Sequence, residues 1–346
     1  MKRILIIVAA IMLAGCAGSY KPTFDHAERV EPISVHVVPV LSKEEMDVQI
    51  VVADSSAATA QFGLIGGLVG AVIDSAINKR NAIRAERLAE VVREKTVEYD
   101  LFSAATRSAA VGDGERWKVV QAEEARTSVG YDDVANNAFD SGEAEAVVVL
   151  DFDYSLTPAA NQVRVNVDQR VYLRSTPKKS DRNRKPESLR TFTYYSPQVE
   201  LVQRAFDDGE KERLVALLKE DYAERIAARP DEREDLEKAR DSEVEELMEA
   251  ESIPLVLAIR EAWTPEQLNG YLDQSIEHIA FMLRHDWEMA TVPEDPAART
   301  EDEYITINAY GQSFVTKGKD VGRKDDNEIY RSSWGHMHSM PIVETE

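Results

Sequence analysis

Two stretches in the middle of the chain carry the clearest alternation of apolar and polar positions. From Ala146 to Leu156 the even positions Val148, Leu150, Phe152, Tyr154 and Leu156 fall on one side of an extended chain. From Gln162 to Arg174 the odd positions Val163, Val165, Val167, Val171 and Leu173 do the same, with Gln169 as the exception. The even positions of that second stretch are nearly all polar. Pro158-Ala159-Ala160-Asn161 between them reads as a four-residue turn. Pairing Leu156 with Val163 makes the numbers of all paired residues sum to an odd value, so both apolar sets land on one face. Turn length and pattern therefore agree on an antiparallel hairpin. On its other face Ser155 lies opposite Arg164 and Asp153 opposite Asn166, with Asp153 diagonal to Arg164 and Asp151 diagonal to Arg170.

Weaker periodicities surround this hairpin. Ile33 to Leu41 (ISVHVVPVL) is a β-branched run that predicts a strand, as do residues 117–122 (WKVVQA) and Leu189 to Ser196 (LRTFTYYS). Ala76 to Val97 predicts a charged, Ala-rich helix whose apolar stripe is Ile83, Leu88, Val91, Val92 and Val97, and Asp132 to Ser141 a short one. Residues 207–252 carry 18 Asp or Glu against 8 Lys or Arg, and Pro230 splits them into two helices. The second, Asp231 to Ser252, has only Leu236, Val244, Leu247 and Met248 as large apolar anchors, which predicts an exposed or projecting helix. Thr264-Pro265-Glu266-Gln267 supplies an N-cap, a proline at the first helical position and a capping-box glutamine. The helix it starts runs to about Met289 and aligns Leu268, Leu272, Ile276, Ile279, Leu283 and Trp287 for core packing. From Tyr304 the chain reads as short strands (YITINAY, SFVTK, EIYRSSW).

This order of elements predicts an α/β (α+β) fold: a mixed sheet with a long antiparallel hairpin flanked by helices, plus a charged helical insertion. The expected boundaries are a signal peptide at 1–15, a lipidated tether at 16–32 and an α/β domain at 33–200. A helical region with an acidic exposed helix pair follows at 201–296, then a short-stranded C-terminal tail at 297–346.

The first segment changes the picture of where the protein works. Lys2 and Arg3 precede ten uncharged apolar residues, Ile4 to Leu13, and the small Ala14 and Gly15 lead into Cys16. Ten residues make a helix of about 15 Å, half of a hydrocarbon core, so the run is a signal and not a span. Leu13-Ala14-Gly15-Cys16 resembles the lipobox of bacterial lipoproteins. That resemblance implies a diacylglyceryl group on the Cys16 thiol, removal of the preceding peptide and acylation of the new amino terminus. With Ala17 and not an aspartate after the cysteine, the same resemblance implies sorting to the outer membrane, with the body facing the periplasm. Cys16 is also the only cysteine, so an intramolecular disulfide is excluded and lipidation accounts for the odd thiol. Several acyl chains anchor stably where one is marginal. The polar segment 17–32, with Pro22 and Pro32, reads as the tether.

A second segment leaves its relation to the bilayer open. Ser55 to Ile73 is nineteen uncharged residues long and contains two overlapping GxxxG spacings, Gly63 with Gly67 and Gly66 with Gly70. A buried helix or helical hairpin, a self-association helix and a membrane-inserted helix all fit it. Ser55, Ser56, Thr59 and Gln61 weaken its first half as a span.

Charge narrows the partners. The formal charge of −22 becomes −24 when Lys2 and Arg3 leave with the signal, which argues against nucleic acid, where affinity rests on Lys and Arg neutralising phosphates. The basic residues 175–187 (STPKKSDRNRKPE) read as a solvated loop or as a docking patch for an anionic surface.

Catalytic and metal motifs are sparse. There is no GxSxG, HExxH, Walker A or dinucleotide fingerprint, and no cofactor is expected. Ser175 to Lys178 has SxxK spacing but sits in a proline-containing loop where a helix is required. Asp151 and Asp153 project together at i and i+2 and are the candidate catalytic carboxylates; arginines in reach favour a hydrated face with cross-strand ion pairs. His336-Met337-His338-Ser339-Met340 gathers soft and borderline metal ligands, with His336 and His338 as candidates, but two histidines do not fix a geometry and a flexible tail is expected. His278 and His285 read as surface or boundary residues on the last long helix.

Val35-His36-Val37-Val38-Pro39-Val40, followed by helix, strand, helix and antiparallel strands, resembles the TolB amino-terminal or curli-secretion lipoprotein type of α/β domain over residues 33–200. The 54–74 segment and the acidic 207–252 insertion depart from that pattern. The resulting expectation is a lipid-anchored envelope protein with a non-catalytic scaffold, accessory or assembly role, binding an envelope protein or a second copy of itself. The alternatives are a periplasmic hydrolase using Asp151 and Asp153, and an oligomeric pore component acting through residues 55–73.

Overall fold

The computed structural model describes residues 31–41, 45–48, 88–109, 112–115, 117–127, 130–157, 159–176, 184–202, 204–288, 303–309, 312–332 and 335–342. Cys16 and the four glycines Gly63, Gly66, Gly67 and Gly70 lie outside the described residues, as do Ile83 and the loop residues 177–183.

The fold is α/β, as the pattern of elements predicts, and is organised on one mixed sheet. In chain order the strands are β1 (Ile33–Leu41), β2 (Asp47–Val48), β3 (Trp117–Ala122), β4 (Arg126–Thr127), β5 (Ala146–Leu156), β6 (Val163–Leu173), β7 (Ser188–Tyr195), β8 (Glu303–Ala309), β9 (Gln312–Lys324), β10 (Asn327–Ser332) and β11 (Met337–Pro341). Their order across the sheet is β3-β1-β5-β6-β7-β11-β10-β9-β8. β1 is parallel to β3 and β5, and β11 is parallel to β7, while β5, β6 and β7 form an antiparallel meander. The helices are α1 (residues 88–96), α2 (Leu101–Ala109), α3 (Tyr131–Ser141), α4 (Glu210–Ala228), α5 (Arg233–Glu249), α6 (Leu255–Ala262) and α7 (Pro265–Glu288).

β1 is a near-continuous apolar run because it is interior and parallel, covered on both faces. Val35 and Val37 join the main core under α2; Val38 and Val40 meet α3 on the other face. Pro39 is accommodated by a gap. The Val37 carbonyl accepts from Glu123 on the β3 side, pairing with β3 ends at Val37, and pairing with β4 resumes at Val40. Alternate residues point their backbone groups to the same side, so the missing N–H of Pro39 falls where no strand needs it.

The β5–β6 hairpin has the predicted register, Leu156 with Val163, Ser155 with Arg164 and Asp153 with Asn166. Its apolar face meets α7, whose Leu268, Leu272, Ile279, Leu283 and Trp287 are fully buried. The N-cap is formed by Thr264, whose Oγ1 accepts from the Gln267 N–H at 3.2 Å. Gln169, the polar exception of the β6 pattern, accepts from Trp287 Nε1 at 2.6 Å, and Trp287 meets Trp117 edge to face at 5.6 Å. At the hairpin turn Ala160 adopts φ 54°, and its carbonyl accepts from Trp263 Nε1 at 2.8 Å, which fixes the α6–α7 junction. Arg190 of β7 forms a buried ion pair with Asp286 of α7.

Several sequence expectations are corrected. The apolar stripe of the first charged helix stops at Val92, and Val97 lies beyond the helix end with 80% of its surface exposed. α2 and α6 occupy stretches in which the pattern predicts no helix; both are short. The acidic helices pair with each other around their own small core of Leu218, Tyr222, Leu236, Ala239 and Leu247, while Met248, an expected anchor, is exposed. This hairpin is tied down by Arg225, which pairs with Glu90 of α1, and by Arg204, whose Nη2 lies 2.9 Å from Glu210 and 2.7 Å from Glu261. The tail strands continue the main sheet, because β11 inserts between β7 and β10.

Arg184, from the basic 175–187 stretch, is buried and not solvated. Its Nη1 donates to the carbonyls of Leu173 at 2.6 Å, Thr176 at 3.0 Å and Arg174 at 3.3 Å, and its guanidinium lies 4.5 Å from the centre of the Phe139 ring. These charge-assisted bonds, added to the Thr176 N–H that also donates to the Leu173 carbonyl at 3.1 Å, stabilise the turn that follows β6. Arg184→Ala is expected to lower stability by about 2 kcal/mol in denaturant unfolding. A loss below roughly 0.5 kcal/mol, typical of an exposed site, would contradict this role.

Candidate functional site

The two faces of the sheet differ. One is sealed by α1, α2, α6 and α7. Among the described residues the other is covered by α3 over Val38, Val40, Val147, Val149 and Tyr172, and beyond α3 it turns polar. Strand alternation sends Asp151, Asp153 and Ser155 of β5, and Arg164, Asn166, Asp168 and Arg170 of β6, to that face, joined by Thr191 and Thr193 of β7 and His338 of β11. The registers align Asp153, Asn166, Thr193 and His338 in one row across four strands.

Asp151 is the most enclosed carboxylate of the face, at 7% exposure. The Tyr131 hydroxyl, at the start of α3, donates to it, and Arg170 Nη1 lies 3.8 Å away on the predicted diagonal. The Arg170 guanidinium stacks over the Tyr131 ring at 3.7 Å and its Nη2 is 3.9 Å from Asp168, which accepts from Thr191 Oγ1 at 2.7 Å. Tyr172 donates to Asp132 at 3.1 Å, and burial together with that carboxylate raises its pKa far above the phenol range. Asp151 thus anchors α3 on the sheet. Asp153 is half-buried and also has interaction partners. A general acid or nucleophile needs a carboxylate that faces substrate, and Asp151 is instead committed to a tyrosine and an arginine.

His336 and His338 are not in a flexible tail. Met337–Pro341 is an interior strand, and the Nδ1 atom of His336 accepts the Thr191 backbone N–H at 3.0 Å. Burial lowers the pKa of His336, and burial with the neighbouring His336 and Arg164 charges lowers that of His338 to about 4. Among the described residues no three His, Cys, Asp or Glu side chains converge on one point as metal ligands.

A constellation absent from the sequence reading lies on the opposite face. His278 of α7, placed at the surface or boundary by its spacing, is 2% exposed. Its Nδ1 is 2.8 Å from Ser339 Oγ and its Nε2 is 3.2 Å from Asp325, with the Tyr194 ring centroid 5.0 Å away. Serine, histidine and aspartate thus stand in contact, as in a nucleophilic triad. Ser339 nevertheless has no exposed surface, its backbone is paired with Ile329 on one side and Tyr194 on the other, and its Oγ already accepts from Asn327 Nδ2 at 3.0 Å. No acyl carbon can reach that oxygen inside the sheet. The relay is a structural link from α7 to β11 and to the β9–β10 turn. Burial, with the Lys324 charge, lowers the His278 pKa; the Asp325 carboxylate opposes this more weakly. Its parts come from elements far apart in sequence, and no local spacing announces them.

No family model, no curated protein and no solved structure matches the chain.

Proposed function

We propose that this chain is a lipid-anchored protein of the bacterial cell envelope, held by acyl groups on Cys16, whose body acts by binding and not by catalysis. The observation that carries the reading is the position of the single cysteine. In 346 residues it occurs once, directly after a basic n-region, ten apolar residues and two small ones. The state of Asp151, engaged by Tyr131 and Arg170, supports a structural use of the carboxylates that a hydrolase would need. Among the described residues no helix is long and apolar enough to cross a membrane; residues 55–73 lie outside them. The absence of aspartate after Cys16 supports the outer membrane, with the acidic body facing the periplasm and meeting an envelope protein or a second copy.

The test is fractionation of cells labelled with a fatty acid. The wild-type protein is expected in the membrane fraction, carrying label and lacking residues 1–15. Cys16→Ala is expected to lose the label and keep the uncut signal, which appears as a larger mass. An unlabelled wild-type protein released with the soluble periplasmic contents would overturn the proposal. Crosslinking in intact cells then separates a partner protein from a homo-oligomer by the mass of the adduct.

A further inference from the structure

The two edges of the sheet are finished differently. A strand edge presents unpaired backbone N–H and C=O groups, and folded chains ordinarily blunt it. At the β3 edge the Val119 N–H donates to Asp113 Oδ1 at 2.9 Å, the Trp117 carbonyl accepts from the Gly114 N–H at 3.0 Å, and the register with β1 shifts beside His36. The β8 edge has none of these devices. Glu303–Ala309 pairs with β9 without a register shift, and among the described residues no strand lies on its other side. Its sequence, EYITINA, includes no proline, glycine, lysine or arginine.

The β8–β9 register fixes which backbone groups are left over. The hairpin closes on the pair Ala309–Gln312 around a two-residue loop, and so short a loop requires that pair to be bonded in both directions. Double bonding recurs at every second residue of an antiparallel ladder. Glu303, Ile305, Ile307 and Ala309 therefore turn their backbone groups to β9, and Tyr304, Thr306 and Asn308 turn theirs outward.

We propose that a second copy of this chain pairs with that edge, β8 against β8, antiparallel about a two-fold axis at Thr306. This deepens the reading above by giving the binding body a partner and a surface, and it does not depend on the lipid. In this register Thr306 lies opposite Thr306 of the second copy, and Tyr304 and Asn308 lie opposite each other on both sides of the axis. Every outward group of the strand is then used in doubly bonded pairs. Charge selects the direction. Glu301, Asp302 and Glu303 form an acidic run at the start of β8. Antiparallel pairing sets Glu303 opposite Ala309, whereas parallel pairing would set the acidic run beside its own copy, and like charges directly opposite are destabilising. Symmetry selects the partner. A two-fold contact closes at the dimer and covers both free edges at once.

Disulfide trapping tests the register. The full-length protein is purified in detergent with Cys16→Ser, so that an introduced thiol is the only one, in salt that screens repulsion between two chains of formal charge −22. Thr306→Cys should form a disulfide-linked dimer on mild oxidation, because doubly bonded residues face each other at about 5.5 Å between Cα atoms. Glu303→Cys should stay monomeric, because its two copies stand roughly 20 Å apart along the strands. Without an added cysteine, the chain should sediment as a dimer and Thr306→Pro as a monomer whose Tm stays within about 3 °C, since proline there removes an N–H that β9 does not use. A Thr306→Cys chain linked no more than Glu303→Cys would overturn the proposal, and so would a dimer that survives Thr306→Pro. If Thr306→Pro does not fold, the two cysteine variants decide alone. All of these readouts use unlipidated protein, so their failure is distinct from failure of the acylation test.

Discussion

Trp287→Ala should destabilise the protein by about 4 kcal/mol, the range for deleting a fully buried indole. Trp287 ends the apolar stripe of α7 and is fully buried where that helix meets the sheet. Three contacts are lost together: the edge-to-face packing with Trp117 at 5.6 Å, the bond to Gln169 at 2.6 Å, and the filling of the core at the β6 surface. The cavity cannot close easily, because its walls are a sheet and a 24-residue helix held elsewhere along their lengths. Denaturant unfolding at an unchanged m-value measures the loss. Trp287→Phe separates its parts, since it keeps a ring but removes the donor to Gln169, and about 1–3 kcal/mol is expected there. A cost below roughly 1 kcal/mol for the alanine variant would mean that α7 does not seal the core at this point.

The second large effect is loss of stability on mild acidification. The histidines His36, His278, His285, His336 and His338 all have pKa values lowered in the fold, with burial the leading cause in each. A lowered folded-state value means that the unfolded chain binds the proton more tightly. The stabilising contribution is therefore complete above the ordinary histidine value of 6.5 and is lost as pH falls through it. For His338 the window runs from 6.5 to about 4, and its share of the loss between pH 7 and pH 5 is about 2 kcal/mol. The other four act in the same direction. Carboxylates held low by their partners, such as Glu210 beside Arg204 and Asp325 beside Lys324, lose their contribution only at lower pH, below the ordinary carboxylate range. Urea unfolding in phosphate- and carboxylate-free buffers from pH 7.5 to 4.5 should show a midpoint that falls steadily, with a shallower fall for His338→Gln. A flat profile over that range would show that these histidines take up protons without opposing the fold.

Local pattern determined much of this protein. The β5–β6 hairpin and its register follow from alternation and turn length, because a one-residue slip would turn every valine of β6 to the polar side. The capped helix Pro265–Glu288 follows from Thr264 and a 3.6-residue stripe, and the break at Pro230 from a proline that cannot continue a helix. The signal-like start and the single Cys16 are also properties of sequence alone, since reading them requires no packing arrangement. Tertiary structure decided what partners these elements have. Gln169 is an unexplained exception to the β6 pattern until Trp287, 118 residues away, brings its N–H to it. His336 and His338 look like a loose tail because a strand of five residues is too short to reveal itself by periodicity; its place between β7 and β10 comes from backbone pairing across the sheet. Arg184 lies in a stretch of like charges, yet it is buried where its guanidinium donates to three carbonyls at and just beyond the end of β6. Asp151 and Asp153 are found together by their spacing, but only the docking of α3 gives Asp151 a tyrosine and commits it to the fold. Periodicity specifies which face a side chain takes, and the chain's long-range closure specifies what that face meets.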